Sequence, residues 1–178
     1  MMAGILKVVV TGPESTGKST LCADLAAALD TVWVPEYARG YCEALRRPYT
    51  QQDLLEIACG QLAAEDAALH QANKLLLCDT DLYVIKVWSE HRFGDCPAKV
   101  LEQIATRQYD LYLLTGIDLP WQDDPLREHG DPRERTYFYN QYRDIVINSG
   151  VPWFAICGSR EERLQAALAA IAAQNGLQ

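Results

Sequence analysis

Residues 12–19 decide the fold of this chain, and they read Gly12-Pro13-Glu14-Ser15-Thr16-Gly17-Lys18-Ser19. The stretch matches the phosphate-binding loop pattern G-x-x-x-x-G-K-[ST] at every fixed position. Residues 5–10, nearly all apolar, precede it and predict a buried parallel strand, and residues 20–29 follow it with leucines at helical spacing. A strand, a glycine loop and a helix in this order surround a phosphate chain with backbone N–H groups. Both flanks therefore argue against a chance glycine turn.

The loop predicts specific contacts to a nucleotide. We expect the ammonium group of Lys18 to reach the outer phosphates and to act in catalysis, and the hydroxyl of Ser19 to bind Mg²⁺. The residues expected to bind the nucleotide in and beside the loop are Gly12, Glu14, Ser15, Thr16, Gly17, Lys18, Ser19 and Thr20.

Size and composition are those of one compact enzyme domain. The chain has 178 residues, enough for one sizeable core, so we predict a single domain over residues 1–178. Its net charge of −8 weakens the case for broad binding to nucleic acid or to a membrane. We expect a cytoplasmic protein with reduced cysteines, since we find no signal peptide, no bilayer-spanning apolar run and no C-x-x-C pair. The three histidines are isolated, which argues against a zinc site.

Strand and helix patterns alternate along the rest of the chain. Apolar runs predict four further strands at residues 31–34, 75–78, 111–114 and 153–156. Helix-start signals stand at Thr50-Gln51-Gln52-Asp53, at Asp131-Pro132-Arg133-Glu134 and at Ser159-Arg160-Glu161-Glu162. We therefore predict an α/β fold of the P-loop NTPase type, with a five-stranded parallel sheet between helices, as in nucleoside and nucleoside-monophosphate kinases.

Polar residues at the carboxyl ends of the strands should gather into one site, because ligands of parallel sheets bind at that edge. Asp79 directly follows an apolar strand, where a carboxylate would bind Mg²⁺ directly or through water. The alternative is a helix N-cap, and it applies equally to Asp81. Glu36 lies where a base would accept the proton of an acceptor hydroxyl, or else it is a first-turn glutamate stabilised by a helix dipole.

Residues 116–135 predict a lid over the site. The segment is polar and rich in proline, and it carries Trp121, Arg127, Arg133 and Arg135. Arginines at the mouth of a phosphate site stabilise developing negative charge, and closure expels water that would otherwise hydrolyse the nucleotide. The alternative is a solvated loop with ordinary surface arginines.

The motifs of the site carry a family resemblance. Pro35-Glu36-Tyr37-Ala38-Arg39, Asp79-Thr80-Asp81, the strand after Tyr109 and Trp121-Gln122-Asp123-Asp124-Pro125-Leu126-Arg127 accompany the loop. Together they resemble the ribosylnicotinamide kinase domain of the NadR-type NAD-biosynthesis proteins, in the same order and spacing over almost the whole chain. The phosphate loop is generic to many NTPases, whereas the other motifs as a set are much more specific.

The resemblance implies transfer of the γ-phosphate of ATP, with Mg²⁺, to the 5′-hydroxyl of nicotinamide riboside, giving nicotinamide mononucleotide in NAD salvage. Glu36 or Asp81 would orient the hydroxyl, and Tyr37 and Trp121 would stack on the pyridinium ring. The other contacts that we expect are those of the catalytic arginines Arg127 and Arg135, of Arg39 and Asp124 with the acceptor, and of Arg133 and Ser159 with the nucleotide.

The chain departs from the family pattern in two respects. Pro125 stands where the pattern has glycine, and we expect it to stiffen the lid. The H-x-G-H signature of a nucleotidyltransferase is missing, so we expect a kinase domain that stands alone, without the adenylyltransferase domain of the bifunctional proteins.

Two other functions remain open from the sequence. One is a regulatory ATPase or GTPase switch that signals by loop order, although a clear N-K-x-D guanine signature is missing. The other is a kinase for another nucleoside or small metabolite. The residues alone do not choose the acceptor, and they do not indicate an oligomeric state.

Overall fold

The fold is built on a central parallel sheet. The computed structural model describes residues 4–175. Five strands pair in the order β2-β3-β1-β4-β5, and every pairing is parallel. The strands are β1 (Leu6–Thr11), β2 (Val32–Val34), β3 (Leu75–Asp79), β4 (Leu111–Thr115) and β5 (Trp153–Ile156). The predicted five-stranded parallel sheet is confirmed, and the strand that leads into the phosphate loop lies at its centre.

Helices cover both faces of the sheet. They are α1 (Lys18–Leu29), α2 (Tyr37–Ala44), α3 (Gln51–Leu69), α4 (Leu82–Phe93), α5 (Ala98–Thr106), α6 (Pro132–Asn148) and α7 (Arg160–Asn175). Alternate side chains of β1 point to opposite faces: Val8 and Val10 pack with α1 and α7, and Val9 packs with α4 and α6. A third apolar cluster joins α2, α3, α4 and α5 beside the sheet. No helix among residues 4–175 has the length and apolarity needed to cross a membrane.

The predicted helix starts are present as hydrogen-bonded caps. Thr50 and Asp53 form a reciprocal capping box at the start of α3, with aspartate in the place usual for glutamate. The side chain of Asp131 accepts from two backbone N–H groups at the start of α6, whose first residue is Pro132. Local sequence therefore sets where these helices begin.

The helix α2 is an element that the sequence pattern left unassigned. Its eight residues include Gly40, a poor helix former, and a helix this short is marginal by itself. Ala38 is buried against α3 and α4, and this packing holds the helix in place. The element carries Glu36 at its N-cap position, so it orients a predicted site residue.

All six cysteines are free, as predicted. Cys22 and Cys78 are fully buried in the two apolar clusters on either face of the sheet. Residues 4–175 contain no group of three or more His, Cys, Asp or Glu residues that would hold a metal ion by themselves.

Candidate active site

The phosphate loop connects β1 to α1 through a strained backbone path. Gly12 has a φ of 139°, and a Cβ there would lie 2.5 Å from Oγ1 of Thr115, so no other residue fits. Ser15 has a φ of 56°, which is uncommon for a residue with a side chain. Thr16 holds this path, since its hydroxyl donates to the carbonyl of Pro13 at 2.8 Å. It also lies 2.7 Å from the hydroxyl of Thr115.

Lys18 and Ser19 open α1 beneath the loop. The ammonium group of Lys18 donates to the carbonyl of Pro13 at 2.8 Å. The hydroxyl of Ser19 donates to Oδ2 of Asp79, the last residue of β3. The two residues predicted to hold the metal therefore meet.

Asp79 is a buried carboxylate at the end of β3. It is 1% exposed, and its Oδ1 has no hydrogen-bond partner among residues 4–175. Burial raises the pKa of this carboxyl, and Lys18 and Ser19 counteract the shift. A hydroxyl and a carboxylate are oxygen donors of the kind that Mg²⁺ prefers, so the pair fits that ion. Asp79 belongs to the strand, so it is not the helix cap that the sequence left open.

Asp81 is the residue that caps the helix, and its predicted roles in catalysis and substrate binding need correction. Its Oδ1 accepts from the backbone N–H of Tyr83 at 3.0 Å, which caps α4. Its Oδ2 accepts from the hydroxyl of Tyr112 at 2.7 Å. The side chain is 2% exposed and does not line the cavity described next. The pKa of Asp81 is raised to about 7, and burial is the largest cause of this shift.

One large cavity of about 760 Å³ opens from the phosphate loop. One end is lined by the predicted loop residues, with Arg160 and Arg163 from α7. The other end is lined by residues of α2, α4, α6 and the segment before α3. Its volume lies within the range of small-molecule sites.

Glu36 lines this cavity with a side chain that makes no cap hydrogen bond. It lies at the N-cap position of α2, so both interpretations, a base and a charge stabilised by the helix dipole, stay predictions. Burial raises the pKa of its carboxyl, Lys18 lowers it, and Asp79 and Glu14 raise it. A carboxylate with a raised pKa beside the phosphate loop is suited to accept a proton at neutral pH.

The predicted aromatic platforms do not face the cavity. Tyr37 is 41% exposed, and its ring lies against the backbone of Gly60 in α3. Trp121 packs its indole against Gly130, with the guanidinium of Arg135 5.8 Å from its ring centroid. Neither ring lines the cavity, so their assignment to substrate stacking is corrected.

Other aromatic residues line the cavity. Tyr49 and Trp88 line the cavity at the end away from the phosphate loop, with ring centroids 6.3 Å apart and an interplanar angle of 31°. Phe138 and Tyr142 of α6 also contribute to the wall, together with His91 and His129. The sequence pattern did not single out these rings, because nothing in their local spacing distinguishes cavity lining from core.

The segment from Gly116 to Asp131 is irregular and lies against the phosphate loop. The backbone N–H of Gln122 donates to Oγ of Ser15 at 2.9 Å. The guanidinium of Arg127 lines the cavity, 2.7 Å from the carbonyl of Gln122 and 3.5 Å from the Ser15 hydroxyl. Arg127 is therefore beside the loop, where a lid arginine was expected.

The other arginines predicted for the lid lie elsewhere. Arg135 is buried behind the loop, where it donates to the carbonyls of Ser15 at 3.3 Å and Leu119 at 3.0 Å. It does not line the main cavity, so its catalytic role is corrected to support of the loop. Arg133 is exposed in the first turn of α6, away from the cavity, and its assignment to the nucleotide is also corrected.

Arg39 and Asp124 form an ion pair at 2.6 Å that ties α2 to the irregular segment. Asp124 also accepts from the backbone N–H of Leu126. Of the two residues predicted to contact the acceptor, Arg39 faces the cavity and Asp124 does not.

Ser159 caps α7 through Glu162 and does not line the cavity, so its assignment to the nucleotide is corrected. Arg163, one turn further, is 4% exposed and binds three backbone carbonyls, those of Thr16, Gly116 and Gly158. The sequence pattern missed this residue, since a helical arginine is usually exposed.

Comparisons with known proteins agree with this geometry. A family model described as an AAA domain, AAA_28, matches residues 7–163. A protein described as "Trifunctional NAD biosynthesis/regulator protein NadR" from Escherichia coli (strain K12) is 32% identical over 155 residues. The corresponding protein of Salmonella typhimurium is 32% identical over 150 residues. These alignments cover 84% and 81% of this chain, but it spans only 37% and 36% of the relatives. The predicted resemblance is confirmed.

Solved structures share the fold. A NadR protein in complex with NR superposes with a TM-score of 0.75 at 24% identity, over 97% of this chain and 50% of that one. Thymidylate kinase from Candida albicans gives a TM-score of 0.68 at 12% identity, over 98% and 93%. At these identities the likeness shows the fold alone, and it confirms the predicted P-loop kinase architecture.

Proposed function

The chain belongs to the AAA_28 family of AAA domains, and from this premise we propose that it is an ATP-dependent kinase for the 5′-hydroxyl of nicotinamide riboside. One observation carries the proposal: a single cavity joins a phosphate loop, the unengaged carboxylate of Glu36 and a pair of aromatic rings. The names of the NadR relatives and the NR in one solved NadR complex support the choice of acceptor.

The donor end would hold ATP. The phosphate loop offers backbone N–H groups at the start of α1, and Lys18 would exchange the carbonyl of Pro13 for the outer phosphates. Ser19 and Asp79 would hold Mg²⁺, which supplies charge neutralisation at the phosphate oxygens. A NadR complex with AMP-PNP supports this donor.

The acceptor end would hold a flat ring. A ring stacked between two others needs about 7 Å, twice the contact distance of carbon atoms. The centroids of Tyr49 and Trp88 lie 6.3 Å apart with their planes inclined by 31°, and the guanidinium of Arg92 lies 4.4 Å from the Tyr49 centroid. A pyridinium, whose positive charge is attracted to aromatic faces, would therefore compete with this guanidinium for Tyr49. Glu36 would then accept the proton of the 5′-hydroxyl as its oxygen attacks the γ-phosphorus and ADP leaves.

Arg127 would stabilise the charge of the group in transfer, and residues 116–135 would act as the lid that excludes water. The distance of 3.5 Å between the Arg127 guanidinium and the Ser15 hydroxyl supports the first of these roles. The rest of the lid would then need to move little on closure.

A second candidate is a kinase for a nucleoside monophosphate. Arg39, Arg47 and Arg92 line the acceptor end, and arginines suit a phosphate-bearing acceptor. All three already have carboxylate partners, Arg39 in Asp124 and Glu43, Arg47 in Asp53, and Arg92 in Glu128 at 3.5 Å, which favours the uncharged ribose of a nucleoside.

The experiment is ADP formation from ATP and Mg²⁺ with a panel of acceptors. We expect strong stimulation by nicotinamide riboside, weak stimulation by uridine, cytidine and deoxynucleosides, and nicotinamide mononucleotide as the product by mass spectrometry. Preferential phosphorylation of a nucleoside monophosphate would select the second candidate. ATP hydrolysis that is equal with and without the riboside would move the protein to the switch class.

A further inference from the structure

The side chain of Glu14 joins the phosphate loop to the lid. Its Oε2 accepts from the backbone N–H of Glu128 at 3.1 Å and from that of His129 at 3.2 Å. Two consecutive N–H groups thus converge on one carboxylate oxygen. We infer that Glu14 is a positioning residue for the transfer, which holds the lid backbone beside the loop; this rests on the proposed function. We call these three residues the Glu14 clasp.

The phosphate loop does not need the clasp for its own conformation. Thr16 bonds to the carbonyl of Pro13, Arg135 to that of Ser15, and Arg163 to that of Thr16, so other residues fix the loop. What Glu14 adds is therefore an anchor for residues 128–129, beside the contacts of Ser15 with Gln122 and of Arg39 with Asp124 elsewhere in the segment.

That segment includes the residue with the chemistry. Arg127 directly precedes Glu128, so the clasp fixes the backbone next to the guanidinium expected at the transferring phosphate. Among residues 4–175, the guanidinium of Arg127 has the carbonyl of Gln122 and a long contact to Ser15 as its hydrogen-bond partners, and the Arg127 backbone N–H donates to the carbonyl of Asp124. A displacement of about 1 Å at a catalytic group costs up to about 100-fold in rate.

The carboxylate that forms the clasp also lines the nucleotide end of the cavity. A negative charge there repels phosphates, so a residue chosen for nucleotide affinity alone would be neutral or positive. The two hydrogen bonds from the lid backbone compensate this repulsion, because hydrogen bonds to a charged acceptor are stronger than neutral ones.

Hydrogen exchange of the unliganded protein tests the clasp without any substrate. In Glu14→Ala we expect faster exchange of the amides of Glu128 and His129, and in Glu14→Gln a smaller change, since the amide oxygen still accepts. Glu102→Ala, on the exposed face of α5, is the matched control and should leave both amides unchanged. Unchanged exchange in Glu14→Ala overturns the inference.

Kinetics then test the positioning role. We expect Glu14→Ala to lower kcat about 10- to 100-fold with little change in the KM for the acceptor, and Glu14→Gln to restore most of the loss. The fraction of ATP that water hydrolyses to ADP and phosphate should rise, because a loose lid admits water. A variant with faster amide exchange but wild-type kcat and wild-type coupling would overturn the positioning role. If the wild-type chain phosphorylates no riboside, the proposed function fails, while the exchange result still decides whether the clasp exists.

Discussion

Ser19 and Asp79 form a hydrogen bond although 60 residues separate them in the chain. The bond joins the end of the phosphate loop to the carboxyl end of β3, the strand next to β1. The parallel register fixes the two strand ends side by side and so brings together the two residues that we propose for the metal. Within residues 4–175 the Oδ1 of Asp79 has no hydrogen-bond partner, so it would be a further oxygen ligand.

We predict that Asp79→Asn loses turnover by about 100-fold or more, with nucleotide affinity changed much less, because the metal matters most as charge moves in the transition state. Burial raises the pKa of this carboxyl, so its ionised form costs stability in the unliganded protein, and the thermal midpoint should not fall. Turnover as a function of Mg²⁺ concentration and thermal melting check both parts.

Asp81→Ala provides the contrast. It removes the cap of α4 and the partner of Tyr112, so the free energy of unfolding should fall by about 1–2 kcal/mol. If Asp79→Asn melts earlier and keeps its turnover, Asp79 has a purely structural role.

We expect Lys18→Ala to remain folded and to lose nucleotide turnover by about 100-fold or more, because the cation aimed at the outer phosphates is gone. Lys99→Ala, an exposed lysine of α5, is the matched control. Circular dichroism and ADP formation measure the two properties. Normal turnover in folded Lys18→Ala would contradict the interpretation of the phosphate loop.

Tyr49 and Tyr37 offer a matched pair for the acceptor site, since only Tyr49 lines the cavity. We predict that Tyr49→Ala raises the KM for nicotinamide riboside about tenfold, through loss of stacking and of attraction to the cation. Tyr37→Ala should change it less than twofold, within the precision of such an assay. Steady-state kinetics with varied riboside decide, and equal effects of the two variants would speak against an aromatic clamp.

Arg163→Leu should destabilise the protein by about 3 kcal/mol, because the buried carbonyls of Thr16 and Gly116, the partly buried carbonyl of Gly158 and the carboxylate of Asp118 each lose a hydrogen bond. Arg160→Leu, one turn earlier in the same helix, is the control. Its side chain is 74% exposed, so its ion pair with Asp24 should contribute less than about 1 kcal/mol. Urea unfolding of both variants measures the difference, and similar losses would refute the role assigned to Arg163.

Acid should remove the stabilisation that Asp53 provides. Hydrogen bonds from Arg47, the largest cause, and from Thr50 hold the pKa of Asp53 below its usual value. A lowered folded-state pKa means that this stabilisation is fully present above the unfolded pKa of about 3.9 and is lost as the pH falls below it. The stability difference between wild type and Asp53→Asn should therefore be constant from pH 8 to about pH 5 and shrink toward pH 3. A difference that does not change over this range would contradict the ion pair.

The sequence by itself determined the features that depend on neighbours along the chain. The phosphate loop could be predicted because its glycines, Lys18 and Ser19 stand at fixed spacing between a strand and a helix. The start of α3 was readable because Thr50 and Asp53 satisfy each other within one turn. The parallel sheet followed from the alternation of apolar runs and helical patterns.

Only the tertiary structure decided which side chains enter the site. The ring of Tyr37 packs against Gly60 and not against the cavity. The side chain of Asp81 is held outside the cavity by a hydrogen bond from Tyr112, which lies 31 residues later in β4. Trp88 faces a cavity because α6 and residue 49 approach α4, although its spacing is that of a core residue. Local patterns fix backbone conformation through short-range hydrogen bonds, whereas the direction of a side chain depends on distant partners that the fold alone brings into contact.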